Sequence, residues 1–103
     1  MAYREEAAKI HLVAQNAVYA LVAPRRPLRV FLLLQCDLAT GVSMYVTWGD
    51  INVGSKQAFF ELQPGDICVF SRYGDMFTTL PVWISGNGGN AVCRGGEEYL
   101  EKT

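Results

Sequence analysis

Short apolar segments, each bounded by turn-forming residues, recur from Pro24 onward at intervals of about 8 to 12 residues. The clearest of them are PLRVFLLLQC, VSMYVTW, ICVFSR, LPVWIS and AVCRG. In the second segment, Met44, Val46 and Trp48 fall on one face of an extended chain, which is the two-residue period of a strand. The spacing predicts an all-β fold: a single antiparallel, jelly-roll-like β-sandwich of about seven or eight short strands.

The segment QPGD, residues 63–66, predicts a tight turn between two of these strands. Pro64 suits the second position of a type II turn because its φ is already fixed near the required value. Gly65 suits the third position, where the backbone needs a positive φ.

Residues 1–23 are ambiguous, because two patterns overlap in them. A helical stripe runs along the segment through Ala7, Ile10, Ala14, Ala17 and Leu21. Against it, the stretches KIHLV and AVYALVA are rich in β-branched and aromatic residues. We favour two strands preceded by a short N-terminal arm, with a helix as the alternative.

The length of 103 residues, half of them apolar, predicts one globular domain. We divide it into an arm at residues 1–9, a β-sandwich at residues 10–96 and a charged C-terminal tail at residues 97–103. Nine basic and ten acidic residues leave a net charge of −1, so no overall field attracts nucleic acid. No apolar run approaches the roughly 20 residues that cross a bilayer, and the N-terminus lacks the pattern of a secretory signal.

Catalytic and metal chemistry find little support in the residue pattern. His11 is the only histidine, and no nucleophile motif accompanies it. The three cysteines are widely spaced in apolar runs, where a reduced thiol packs as a small hydrophobic group. The acidic residues outside the tail lie mostly in or beside turns. We therefore expect no catalytic residue, no cofactor and no metal.

Four aromatic residues fall near predicted loops or strand ends: Trp48, Tyr73, Phe77 and Trp83. Exposed aromatic rings can stack on sugars or anchor a protein interface, so a carbohydrate-binding module is one alternative function. Core packing is the simpler explanation for any single one of them.

The one basic cluster, Arg25, Arg26 and Arg29, precedes a strand whose two faces both carry large apolar residues. Phe31 and Leu33 lie on the face opposite Leu32, Leu34 and Cys36. A strand of a two-layer sandwich needs only one apolar face, so the second predicts another covering layer. That layer is either the folded N-terminal segment or a neighbouring subunit. We predict that the three arginines, Phe31 and Leu33 belong to a protein interface.

The order of these features resembles small β-sandwich structural proteins of tailed bacteriophages. The matching segments are PLRVFLLLQCD, MYVTWGD, FFELQPGD, LPVWISGN and AVCRGGEE, which together span roughly residues 8–98. The chain departs from the family pattern at Cys36 and Asp37, where an asparagine often closes the first long strand.

The resemblance implies a non-enzymatic virion protein, most specifically a capsid decoration or cement protein, with a head-fibre, tail or head–tail component as the alternative. It implies binding to the major capsid protein or other virion proteins, self-association with a trimer favoured, and no nucleic acid or membrane partner. The expected location is the virion, after synthesis in the bacterial host cytoplasm. An extended N-terminal arm would add a strand to a neighbour's sheet.

Overall fold

The computed structural model describes residues 2–49, 60–74 and 76–102, and these form eight strands. The strands are β1 Tyr3–Ala14, β2 Ala20–Ala23, β3 Arg29–Cys36, β4 Met44–Trp48, β5 Phe60–Leu62, β6 Ile67–Ser71, β7 Val82–Gly86 and β8 Ala91–Lys102. A single 3₁₀ turn at Leu38–Thr40 is the only helical segment in this described part. No helix in it is long and apolar enough to cross a membrane. The all-β prediction and the number of strands are confirmed.

The strands form two antiparallel four-stranded sheets. Sheet A has the order β1-β8-β3-β6, and sheet B has the order β2-β7-β4-β5. Only β4 and β5 are both consecutive and paired with each other; every other step from one named strand to the next crosses from one sheet to the other. The architecture is therefore all-β and sandwich-like, with every named strand pair antiparallel.

Both sheets contribute to one buried apolar cluster. Leu32, Leu34 and Phe70 supply it from sheet A, and Met44 and Ile84 supply it from sheet B, all fully buried. Removing a side chain of this size from water stabilises the fold by roughly 1.5–3 kcal/mol. The alternation predicted for the strand at 44–48 is present, because Met44, Val46 and Trp48 all contribute to this cluster.

The first and last strands, β1 and β8, pair with each other along their whole length. β1 and β8 form one antiparallel ladder from Tyr3 opposite Lys102 to Ala14 opposite Ala91. The helical alternative for the N-terminal segment is therefore wrong, and the favoured two strands are confirmed as β1 and β2. Residues 3–9 are part of β1 rather than an arm, and residues 97–102 are part of β8 rather than a tail. Each end supplies the backbone partners that the other needs.

The predicted turn at residues 63–66 is also present. The N–H of Asp66 donates to the carbonyl of Gln63 at 2.9 Å, and Gly65 has φ +92°. A second turn, just before β3, has Pro27 at its second position, and the N–H of Arg29 donates to the carbonyl of Arg26 at 3.0 Å.

A β-bulge at the start of β3 decides which way its first side chain points. The register against β8 shifts between Arg29, opposite Tyr99, and Phe31, opposite Glu98. A strict alternation would place Arg29 beside Phe31 and Leu33 on one face. A one-residue shift turns a side chain to the other face, and Arg29 is fully buried while Phe31 is only half-buried.

Close strand approach leaves no room for a side chain at Gly95 in the middle of β8. A Cβ placed at Gly95 would lie 1.8 Å from the backbone oxygen of Leu33. The neighbouring Gly96 points to the other side of the sheet, where the nearest atom to an added Cβ is the oxygen of Ala8 at 3.5 Å. We expect Gly95→Ala to lower the free energy of unfolding by about 2–4 kcal/mol.

The matched control is Gly96→Ala, which adds the same methyl group in ordinary contact and should leave the free energy of unfolding nearly unchanged. Urea unfolding followed by circular dichroism measures both. Equal effects of the two substitutions would show that the strand spacing at Gly95 is not the constraint described.

Candidate interaction surface

Arg29 is a fully buried charge whose guanidinium joins three separate segments. Its Nε donates to the Glu97 carboxylate at 2.8 Å, and Glu97 is 3 % exposed. Its Nη1 donates to the carbonyls of Thr78 and Leu80 at 2.9 and 3.1 Å, and its Nη2 donates to the carbonyl of Pro24. The side chain therefore ties β8 to the segments that precede β3 and β7.

Glu97 receives a second cation, Arg26, whose Nε donates to it at 3.2 Å. The Arg26 guanidinium also lies 3.8 Å from the centroid of the Tyr99 ring, a cation–π contact. The backbone N–H of Arg26 donates to the carbonyl of Thr79 at 2.9 Å. Arg26 is consequently a half-buried structural group as well.

The prediction that all three arginines border an interface needs correction. Arg29 is fully buried inside this chain, so it cannot contact a partner, and the bulge in β3 is the reason. Arg26 already forms an ion pair with Glu97 and a cation–π contact with Tyr99, and Arg25 is the exposed member of the cluster. The cluster is thus mainly an internal ion-pair network, with Arg25 remaining a candidate surface residue.

The sequence pattern did not identify Glu97 as a site residue, because residues 97–103 were interpreted as a charged C-terminal tail. A signal was present: the positions Ala91, Cys93, Gly95, Glu97 and Tyr99 continue the two-residue alternation of β8, and that face points to the interior. A carboxylate on an inward position requires a buried cation. That requirement pointed to an arginine elsewhere in the chain.

The outward face of sheet A carries an apolar surface, which we call the outer patch. It consists of Phe31 and Leu33 on β3 and Ile67 and Val69 on β6. Leu33 lies directly opposite Val69, so the two strands bring these side chains together. Ile67 is 55 % exposed and Val69 is 40 % exposed.

Nothing that the structure describes lies over the outer patch as a third layer. The N-terminal segment, one of the two predicted covers, is the far edge strand of the same sheet. Across β3 from the patch, β8 places Gly96 opposite Leu33 and Glu98 opposite Phe31. The surface is therefore flat beside Leu33 and has an acidic border beside Phe31.

The four candidate aromatic residues have different environments. Trp48 packs into the core and meets the Phe70 ring edge-on, with centroids 5.4 Å apart. The half-buried Trp83 donates its indole N–H to the carbonyl of Gly49 at 3.0 Å. The half-buried Phe77 lies under the Arg72 guanidinium, and Tyr73 is 89 % exposed in the loop after β6. Of the four, only Tyr73 offers most of its ring to a ligand.

The three cysteines are free and buried, as small apolar residues would be. Burial raises the pKa of the Cys68 and Cys93 thiols to about 12. The pKa of Cys36 is also raised, first by burial and then by the charges of Asp66 and Asp37. The Cys36 thiol donates to the carbonyl of Val42 at 3.1 Å. The prediction that these residues pack as core groups is confirmed.

A groove with a volume of about 320 Å³ lies along β1, β8 and β3. Glu5, Glu6 and Glu98 line it, together with Val30 and Tyr99. The described residues contain no group of three or more metal-ligating side chains. His11, the only histidine, is exposed on β1.

No protein-family model matches this chain, and no curated protein matches its sequence.

We expect removal of either partner of the buried ion pair to destabilise the fold strongly. Arg29→Met leaves Glu97 with Arg26 alone, and Glu97→Leu leaves the buried guanidinium of Arg29 without its counter-charge. Each single substitution should cost about 3–5 kcal/mol of unfolding free energy. Urea denaturation provides the measurement.

The double variant Arg29→Met/Glu97→Leu should cost clearly less than the two single changes added together, because no buried charge is left uncompensated at this position. Arg94→Met is the control, since Arg94 pairs with Asp37 at 3.0 Å on the surface and should change stability little. Additive single effects would contradict a coupled pair.

We also expect the three thiols to be unreactive in the folded protein. Because their pKa values are raised and their side chains are buried, an aromatic disulfide reagent at mildly alkaline pH should titrate almost no thiol until denaturant is added. All three should then react. Rapid reaction of any cysteine in the native protein would contradict its placement in the core.

Proposed function

We propose that the protein is a non-enzymatic structural protein of a tailed-bacteriophage virion, acting as a capsid cement or decoration protein. The observation that carries the proposal is the outer patch, an apolar sheet face with no cover in the described chain. Its residues Phe31 and Leu33 retain their place as interface candidates. The partner on this face is the major capsid protein or another virion protein, and the site of action is the virion.

The physical basis is the free energy available from covering the outer patch. Apolar surface gains about 25 cal/mol for each Å² removed from water. Ile67 and Val69 still expose roughly half of their surface, and Phe31 and Leu33 are half-buried beside them. A compact apolar centre with a charged border is the usual anatomy of a protein interface, and the border here includes Arg94 and Glu98.

The strand order supports a jelly roll as the finer description of the fold. In a jelly roll of eight strands, the first, eighth, third and sixth form one sheet, and the second, seventh, fourth and fifth form the other. That is the order found in sheets A and B. Viral capsid domains use this topology, and so do lectins and cupins, which is why the outer patch rather than the topology carries the functional argument.

A cement role needs only modest affinity at each site. Copies bound around a repeating shell act together, so that weak single contacts become a stable lattice when geometry allows simultaneous engagement. The small size of the outer patch is compatible with that arrangement. A tail or head–tail component would use the same kind of surface, and localisation in the virion distinguishes the two.

The test is binding to empty capsid shells of the phage whose genome carries the gene, measured by co-sedimentation. Leu33→Lys places a charge at the centre of the outer patch and should reduce binding at least about tenfold, because the buried ammonium would lack a partner. The control is Leu21→Lys on β2 of sheet B, since Leu21 is a surface leucine, 45 % accessible, in the other sheet.

Both variants should keep the circular dichroism spectrum and the thermal midpoint of the parent. Absence of the protein from purified virions, or equal capsid binding by both variants, would overturn the proposal. Binding to purified tails instead of shells would assign the protein to the tail.

A further inference from the structure

The long strand β1 forms one edge of sheet A, and among the described strands of that sheet it pairs only with β8. It runs for 12 residues from Tyr3 to Ala14, well beyond the common strand length of about 5–6. An edge strand of this length presents a row of backbone N–H and C=O groups able to pair with another strand.

The hydrogen bonds of β8 show which groups of β1 are available. Leu100 donates its N–H to Leu28, and the carbonyl of Val92 accepts from Asp37, so even-numbered residues of β8 bond toward β3. The odd-numbered residues of β8 therefore bond toward β1, where their register partners are even-numbered. In β1 the odd-numbered residues, from Tyr3 to Val13, aim their backbone groups at the open edge.

Symmetry restricts how two copies of this edge can pair. Two identical sheets joined by antiparallel edge strands are related by a two-fold axis perpendicular to the sheet. Such an axis keeps outward side chains on the outward side, so odd-numbered residues of one copy face odd-numbered residues of the other. One residue of β1 must then lie opposite its own symmetry mate.

The charges of β1 select that residue. With Ala7 opposite Ala7 of the second copy, Glu5 lies opposite Lys9 twice, and Tyr3 lies opposite His11. A centre at Glu5, Glu6 or Lys9 would place each of these charges against its own copy. A centre at Ala8 would place Glu5 opposite His11 and leave Lys9 opposite an alanine. Directly opposite unlike charges stabilise strand pairs and like charges destabilise them.

We propose that the protein forms a two-fold symmetric dimer through β1, with Ala7 on the axis, Glu5 paired with Lys9 of the second copy, and sheet A continued into eight strands. About ten backbone hydrogen bonds would join the two copies, since each odd-numbered residue from Tyr3 to His11 donates one and accepts one. The side chains of Glu5, Ala7, Lys9 and His11 are all exposed, so they are accessible to the facing side chains of a second copy.

The dimer goes beyond the proposed virion function and does not depend on it. It replaces the trimer implied by the phage resemblance with a pair. It also reverses the expected role of the N-terminal segment: the segment completes its own sheet and offers that sheet's edge, rather than leaving to join a neighbour's.

The experiment measures mass by light scattering and analytical ultracentrifugation from micromolar to millimolar concentration. We expect a species of twice the 11.4 kDa chain mass. Lys9→Glu should raise the dimer dissociation constant by about tenfold to a hundredfold. The two-fold axis creates two Glu5–Lys9 pairs, and the substitution replaces both with pairs of like charges. Glu5→Lys should do the same, and the double variant Glu5→Lys/Lys9→Glu should restore the parent value.

Lys102→Glu is the matched control, because it makes the same charge change on β8 of sheet A, one strand away from the edge, and should leave the dissociation constant unchanged. Ala7→Pro gives a second readout: it removes a backbone donor at the axis without touching the ladder to β8, and should yield a folded monomer.

A monomer throughout the concentration range, a trimer, or a dimer indifferent to Lys9→Glu and Ala7→Pro would each overturn the proposal. Loss of capsid binding in a variant that still dimerises would bear on the outer patch alone, so the two proposals fail separately.

Discussion

The buried pair of Arg29 and Glu97 is the interaction on which the arrangement of this molecule depends. It joins the two central strands of sheet A and, through the carbonyls of Pro24, Thr78 and Leu80, fixes the segments that lead to and from sheet B. Charges so deeply buried are tolerated only when their hydrogen-bonding groups are satisfied. No buried side-chain nitrogen or oxygen of the described residues is left without a partner. The pair therefore restricts the chain to arrangements that bring all these groups together.

The same bulge that turns Arg29 inward shapes the outside of sheet A. Because Arg29 is withdrawn from the outward face, that face carries Phe31 and Leu33 without the Arg29 guanidinium beside them, and β6 adds Ile67 and Val69. The proposed dimer would preserve this property. A two-fold axis perpendicular to the sheet leaves both outer patches on the same side, so one dimer would present two apolar surfaces to a single underlying partner lattice.

Much of the fold was predictable because strand and turn signals are local. The five clearest strand segments, the turn at Pro64 and Gly65, and the core placement of the cysteines all followed from alternation and backbone preference. The site was less predictable. Arg29 was assigned to the wrong face because alternation cannot reveal a bulge, and Glu97 was assigned to a tail because its partner lies 68 residues away in the chain. Phe31 and Leu33 kept their predicted outward position, since the register beyond the bulge is regular.

The amino-acid order alone indicates where strands form, where they are interrupted, and that the strand containing Phe31 and Leu33 carries apolar residues on both faces. Those properties depend on neighbours a few positions apart. Contacts between distant segments set the pairing of β1 with β8, the convergence of Arg29 and Arg26 on Glu97, and the position of β1 at the edge of the described strands of sheet A. Strand order and register depend on contacts between distant segments, and a single inserted residue reverses which side chains are buried.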